Sequence, residues 1–299
     1  MRTPARWITT LSIGALVALS HAASAETADE ILRRSPANAW SQIDPGQMLI
    51  MTLADKQRIV IQLAPDFAPR HIDNIRKLAL AHWWDSGAIE RSQDNYVVQW
   101  RGPVMHPPLP EGVSASPPAE YERAFGIQPF LPLPYPDAYA SKTGYIRSWP
   151  VGTDGEKVWL THCYGMIGVA RDMPPDTGDG TELYAVNGQA PRQLDRNIAL
   201  VGRVIAGMDA LSALPRGKAP LGFYKSDTHM PAIESVRLAS ELPPAEQPRF
   251  QVMRTASDSF KNYIRARANR SETFFVRPAA GLDVCNAPIP IREEPARHL

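Results

Sequence analysis

Polar and apolar positions alternate through residues 58–63, RIVIQL, so that Ile59, Ile61 and Leu63 share one face, the signature of a half-buried strand. The apolar run MLIMTL over residues 48–53 precedes it across a turn at Asp55 and Lys56, and the two read as a hairpin. Pro65 ends the second strand. Pro69 suits a first helical position, where its missing N–H costs nothing, and Ile72, Ile75, Leu78 and Ala79 then recur at helical spacing. Residues 89–102, IERSQDNYVVQWRG, follow: Arg91 opens the stretch, a polar turn SQDN interrupts it, and a strand YVVQW carries Gln99. Further strands are expected at residues 158–160, 165–170, 181–186, 198–204 and 233–238, with a short helix over 207–214. The small residues of 165–170 suit a strand whose backbone something approaches closely.

Two regions break this texture. Residues 103–150 hold eleven prolines, including PPLP and LPLPYP, which fix φ and remove backbone donors. An irregular insertion is expected there, with only residues 120–125 resembling a helical turn or two. At 48 residues it is longer than loops usually run without a purpose. It reads as a decoration packed outside the domain, or alternatively as a lid across a binding groove. Residues 26–47 form a polar, irregular lead-in anchored by Trp40. Beyond residue 240, Pro243, Pro244 and Pro248 mark a joint to a C-terminal extension, residues 241–299. That extension has a strand FQVM and a helix over 257–269, capped by Ser257 or Asp258 with Phe260 and Ile264 on one face. Its arginines 265, 267 and 270 read as a solvated face.

Composition narrows the partners. The 299 residues carry 32 basic and 31 acidic side chains, which leaves no electrostatic case for nucleic acid or an anionic membrane. Arg2 and Arg6, the apolar run 8–19 and Ala23-Ser24-Ala25 form a secretory signal pattern over residues 1–25. The run is shorter than the roughly 20 residues that span a bilayer. The mature chain is therefore expected to start at Glu26 and to be exported, periplasmic in a Gram-negative source and secreted otherwise. Cys163 and Cys285 permit one disulfide in that setting, the alternative being two buried thiols.

No G-x-S-x-G, H-E-x-x-H or C-x-x-C pattern occurs, and phosphate-binding glycine patterns are missing. Asp172, Asp176, Asp179 and Glu182 miss the calcium-loop order, and His162 beside Cys163 lacks a second ligand at metal spacing. No metal or cofactor is expected. Arg91 and Gln99, eight residues apart with the apolar groups of Tyr96, Val97 and Val98 between them, suit binding and polarising a neutral group better than attacking one.

The order of elements over residues 48–240, apart from the insertion 103–150, resembles the cyclophilin-type peptidyl-prolyl isomerases. APDFAPRHIDNIRKLA resembles that family's first helix, IERSQDNYVVQW its F-H-R…F-x-x-Q segment, and GVARD…GDGTELY its second active-site stretch. LDRNIALVGRVIAGMDAL is similar to the family's L-D…F-G-x-V-x-x-G-M segment. The resemblance implies a mainly β fold, a closed eight-stranded antiparallel barrel capped by two helices. It implies Arg91 as the catalytic arginine and Gln99 as the substrate-binding glutamine. Tyr96, Val97, Leu183 and Leu194 then line the proline pocket, and Ala170 and Arg171 meet the substrate backbone. Glu182 stands where a glutamine is usual and Ile198 where a histidine or tyrosine is common. The implied activity is rotation of X-Pro bonds in proline-containing polypeptides of exported proteins. A catalytically weak peptide-binding or chaperone module is the alternative, and an interaction protein working through its insertion is a further one.

Overall fold

The computed structural model describes residues 26–105, 108–225 and 230–294. The expected signal pattern lies outside them. The described chain opens with helix α1 (Ala28–Arg34) and strand β1 (Trp40–Gln42), then the hairpin β2 (Met48–Leu53) and β3 (Arg58–Leu63) and helix α2 (Pro69–Leu80). Strands β4 (Ala88–Ser92) and β5 (Tyr96–Arg101) follow. The insertion region holds the short β6 (Arg123–Ala124) and β7 (Leu131–Pro132), then β8 (Lys142–Ile146) and β9 (Trp149–Thr153). After β10 (Lys157–Leu160) come β11 (Met166–Val169), β12 (Glu182–Asn187), β13 (Leu200–Ala206), helix α3 (Met208–Ser212) and β14 (Ile233–Leu238). Strand β15 (Phe250–Met253), helix α4 (Asp258–Ala268) and β16 (Ile291–Glu293) complete it.

Eight strands form one antiparallel sheet in the order β14-β2-β3-β13-β11-β12-β5-β4. Its two ends meet at a bridge between Ala88 and Ala232, with Ile89 N–H donating to the Pro231 carbonyl (2.9 Å) and Ile233 N–H to that of Gly87 (2.8 Å). The sheet is thereby nearly closed into a barrel. Inside it, Leu49, Met51 and Leu53 of β2 meet Ile59, Ile61 and Leu63 of β3. Ile72, Ile75 and Leu78 of α2 and Leu211 of α3 belong to the same core, so both helices cap the barrel. Burying each such side chain contributes about 1.5–3 kcal/mol relative to exposure.

The outer face of the hairpin is covered too. Met48, Ile50 and Val60 point away from the barrel interior into a second core shared with Trp40, Phe250 and Phe260. The half-buried reading of residues 58–63 therefore missed one of two buried faces. The cover is built from both ends of the chain: β1 pairs with β15, β15 with β16, and α1 packs on α4. The lead-in is accordingly not irregular. Thr27 and Glu30 make a reciprocal capping box that starts α1. Cys163 and Cys285 are joined in a disulfide that ties this cover to the end of β10.

The proline-rich stretch is more regular than its composition predicts. Strands β8 and β9 pair over five residues each, and β9 is central in a five-stranded sheet, β6-β10-β9-β8-β7. Pro150 is accommodated because its carbonyl accepts from Thr161 N–H at the end of the β10 ladder (3.3 Å). Its missing donor faces that same side, and the pairing with β8 continues. Residues 120–125 form no helix. Instead, the Glu120 carboxylate accepts from the Arg70 and His71 N–H groups (3.0 Å each) and from His71 Nδ1 (2.7 Å). It caps α2, whose own N-cap, Ala68, has no side chain able to do so. Burial pushes the Glu120 pKa up, but the His71 ring and the two N–H groups hold it below the ordinary carboxylate value.

Candidate active site

A bulge aims the central arginine. Ile89 pairs with Trp100, but Arg91 pairs with Gln99, so one extra residue, Glu90, sits in β4. In a regular strand without this bulge, period-two alternation would send Arg91 into the barrel beside Ile89, which is fully buried. The bulge resets the alternation and turns Glu90 and Arg91 to the outer face with Gln99. They line an open groove of about 660 Å³. Tyr96 and Val97 of β5, Ala170 and Arg171 after β11, Glu182 at the start of β12, and Leu194 all border it.

Two expected residues do not. Leu183 pairs with Trp100 and points into the barrel core, because Tyr184 is the residue opposite Gln99. Tyr184, one position on, supplies the groove wall instead. Ile198 lines a small separate cleft with Phe67 and Trp159. The chain turns between Leu194 and Ile198, with Asn197 N–H donating to the Leu194 carbonyl (2.9 Å). From the insertion, Ala115 alone among the described residues borders the groove, so no described proline of that segment lies across it.

Arg91 is held from several directions. Its Nε donates to the Leu221 carbonyl (2.7 Å), Nη2 donates to Gln93 Oε1, and Nη1 makes only a long contact with Gln99 Oε1 (3.5 Å). The Tyr96 and Phe223 rings both lie 5.3 Å from the guanidinium carbon. Burial lowers the pKa of Arg91 from its ordinary value, yet an arginine remains charged at neutral pH. The least committed donor, Nη1, is therefore part of a fixed cation.

Gln99 is held from below. Its amide donates to Glu90 Oε1 (2.8 Å) and Glu182 Oε2 (3.2 Å), which leaves its carbonyl oxygen toward Arg91. Arg101 Nε donates to Glu90 Oε2 (3.0 Å). Burial, and then the neighbouring Glu90 carboxylate, raise the Glu182 pKa to about 7. A carboxyl whose pKa is raised on folding binds more protons in the folded state. The stability it contributes is complete below its unfolded value and lost as pH rises through about 7. Glu182→Gln should therefore gain stability relative to the parent between pH 5 and pH 8. Urea denaturation at both pH values measures this, and an equal difference at the two would refute it.

Tyr184 is fixed from behind the groove. With His162 Nδ1 donating to Asp195 Oδ1 (2.9 Å), Nε2 accepts from the Tyr184 hydroxyl (3.0 Å). Arg192 Nε donates to the other oxygen of Asp195 (2.9 Å). Burial, then the neighbouring Tyr96 and Asp195, raise the Tyr184 pKa well above the ordinary phenol value, so the ring stays neutral. Gly168 makes room for it: a Cβ there would stand 2.2 Å from Tyr184 Cζ. This is the close backbone approach that the small residues of β11 suggested.

Glu90, Gln93, Tyr184, Leu221 and Phe223 were not singled out from the sequence. Strand parity, once the bulge was known, would have found Glu90 and Tyr184. No local signal marks Leu221, which reaches Arg91 from 130 residues away, or Phe223 two residues beyond it.

Comparison with known proteins bears on what such a groove does. Proteins of Brucella suis and Brucella abortus described as probable peptidyl-prolyl cis-trans isomerase are each 25% identical over 177 residues, 59% of this chain and 76% of theirs. Among solved structures, the cyclophilin AquaCyp293 from Hirschia baltica superposes with a TM-score of 0.68 at 21% identity. That match covers 90% of this chain and 97% of the other, and so includes both terminal extensions in a shared fold. The family described as cyclophilin type peptidyl-prolyl cis-trans isomerase matches residues 48–236, which contain every barrel strand but the last two residues of β14. With an arginine and a glutamine side by side on the outer wall of that barrel, the chain belongs to the cyclophilin-type peptidyl-prolyl cis-trans isomerases.

Proposed function

We propose that the groove isomerises X-Pro bonds in exported proteins as they fold, with Arg91 as the catalytic group and Gln99 as the substrate grip. The observation that carries this reading is the fixed guanidinium with one weakly engaged donor, Nη1, facing the groove. Amide rotation faces a barrier of about 18–20 kcal/mol because the nitrogen lone pair is delocalised. As the bond twists, that lone pair localises on the imide nitrogen. A donor placed there binds the twisted state and not the planar one, which is the condition for a faster step.

Magnitudes divide the work. Bringing a reaction of roughly tens of seconds to milliseconds needs about 10⁴-fold, or about 5–6 kcal/mol. One hydrogen bond from a charged group supplies about 1.5–3 kcal/mol. The walls supply the remainder by holding the proline ring and keeping water from the arginine. Tyr96, Val97, Tyr184 and Leu194 are placed for that role. No group changes protonation in this mechanism, and it uses no cofactor.

Export rests on the signal pattern of residues 1–25 and is supported by the Cys163–Cys285 disulfide, a bond that persists in oxidising compartments. Refolding of a disulfide-free client limited by proline isomerisation tests the cellular part. Catalytic amounts of residues 26–299 should accelerate its slow phase, and the Arg91→Ala protein should not. Equal effects of the two proteins would favour a peptide-binding chaperone.

A further inference from the structure

The described parts of the connection between α3 and β14, residues 213–225 and 230–232, run along the outer edge of β4. Gly217 N–H donates to the Ser92 carbonyl, Tyr224 N–H to that of Glu90, and Ile89 N–H to that of Pro231, each at 2.9 Å. Within this strip, residues 219–223 make a tight turn. Ala219 N–H donates to the Phe223 carbonyl (3.0 Å) and Gly222 N–H to that of Ala219 (3.1 Å). Two successive residues, Leu221 and Gly222, take left-handed φ angles of 60° and 78°. Glycine adopts that conformation freely; leucine does not. Gly222 is also confined, since a Cβ there would stand 2.6 Å from Gln93 Cα.

Packing does not explain the strained leucine. The residue is 65% exposed at the groove. What the conformation accomplishes is to turn the Leu221 carbonyl onto Arg91 Nε (2.7 Å). Two residues on, Phe223 bridges β4 at Arg91 itself and sets its ring 5.3 Å from the guanidinium carbon. A backbone acceptor, an aromatic ring and an uncommon backbone conformation thus converge on one cation. Strain retained at such a point indicates a functional constraint.

We infer that Leu221 and Phe223 are positioning residues for the reaction, locking the Arg91 guanidinium so that Nη1 meets the twisted imide. The inference rests on Arg91 as the catalytic group. A guanidinium on a long side chain has many rotamers, and ordering it after substrate binds would add to the barrier. A donor already ordered in the free protein avoids that cost. The turn acts on orientation rather than on substrate affinity, so it belongs in kcat and not in KM. It sits 130 positions from Arg91 in the chain, within the family match over residues 48–236 but outside the four motif segments quoted from the sequence.

Phe223→Leu in residues 26–299 tests this, with kinetics on a short X-Pro peptide. Losing the ring while keeping the turn should lower kcat about tenfold, less than removing a preorganised donor outright, with KM changed less than about twofold. Phe223→Tyr should restore kcat, since it keeps the ring. In an Arg91→Ala background, Phe223→Leu should cause no further loss. The Arg91 Nε–H, bonded to the Leu221 carbonyl, should exchange slowly with solvent in the parent and faster in Phe223→Leu. An unchanged kcat, a loss confined to KM, or an equal loss with and without Arg91 would overturn the inference. Full activity of Arg91→Ala alone would instead remove the reading beneath it, and the inference with it. A shift of the thermal midpoint with kinetics unaltered would leave the turn a purely structural edge cover.

Discussion

Arg91→Ala should lower kcat for an X-Pro peptide by about 10²–10³-fold, the range for removing one preorganised donor from a developing charge. KM should change little, because the donor engages the twisted state and not the planar substrate. Arg91→Lys should not rescue activity. The three donors of a lysine radiate from one nitrogen on a flexible stem and do not reproduce the planar fork by which separate guanidinium nitrogens meet the Leu221 carbonyl, Gln93 and the groove. The fold should survive either change. Arg91 lies on the outer face of the barrel, outside both hydrophobic cores. Stopped-flow measurement of kcat and KM, with circular dichroism to confirm folding, gives the answer. A tenfold rise in KM at unchanged kcat would mean that Arg91 binds substrate without assisting rotation.

The second large effect is on stability. The Cys163–Cys285 bond joins residues 122 positions apart. In the chain-entropy model, opening a loop of that length costs about 4–5 kcal/mol. Typical domains have a total of about 5–15 kcal/mol, so the loss is a large fraction of it. The bond also has a local task. Val284 and Ala287, on either side of Cys285, are buried in the second core, their segment contacts β9, and Tyr145 of β8 donates to the Ala287 carbonyl (3.0 Å). Cys163 follows His162, the residue that fixes Tyr184 in the groove wall. The Cys163→Ala, Cys285→Ala double variant should therefore unfold at a clearly lower urea concentration, by about 4–5 kcal/mol in extrapolated stability. A difference below about 1 kcal/mol would show that packing alone holds the extension in place.

How much of this was legible in the chain depended on the range of the interaction. The hairpin β2–β3, helix α2 and strand β14 follow from short-range periodicity, and all three stand where the pattern placed them. Ser257 caps α4 as its position suggested, its side chain accepting from Phe260 N–H (3.1 Å). Pairings between distant segments were hidden. The buried outer face of β3 depends on residues from both ends of the chain, and nothing in RIVIQL announces them. The hairpin β8–β9 was masked by its prolines, since composition does not reveal which side of a strand lacks its donor. The Thr27-x-x-Glu30 capping box was readable but lay in a segment dismissed as irregular.

The groove shows the same division. Arg91 and Gln99 were identified by a resemblance of spacing, whereas their side-by-side placement depends on the one-residue bulge at Glu90. A one-residue offset also moved the wall from Leu183 to Tyr184, because strand parity admits no intermediate. Ile198 was one turn too far along the chain to reach the groove.

The central claim, that this groove catalyses rotation and does not merely bind proline segments, has a direct test. Two-dimensional exchange NMR on an alanyl-proline peptide, with residues 26–299 at a small fraction of the peptide concentration, reads interconversion at equilibrium. Uncatalysed exchange takes roughly tens of seconds and leaves no cross-peaks on the mixing timescale. The account predicts cis–trans cross-peaks with the protein present and their loss with Arg91→Ala. Chemical-shift changes that show the peptide bound, with no exchange cross-peaks at any protein concentration, would contradict it.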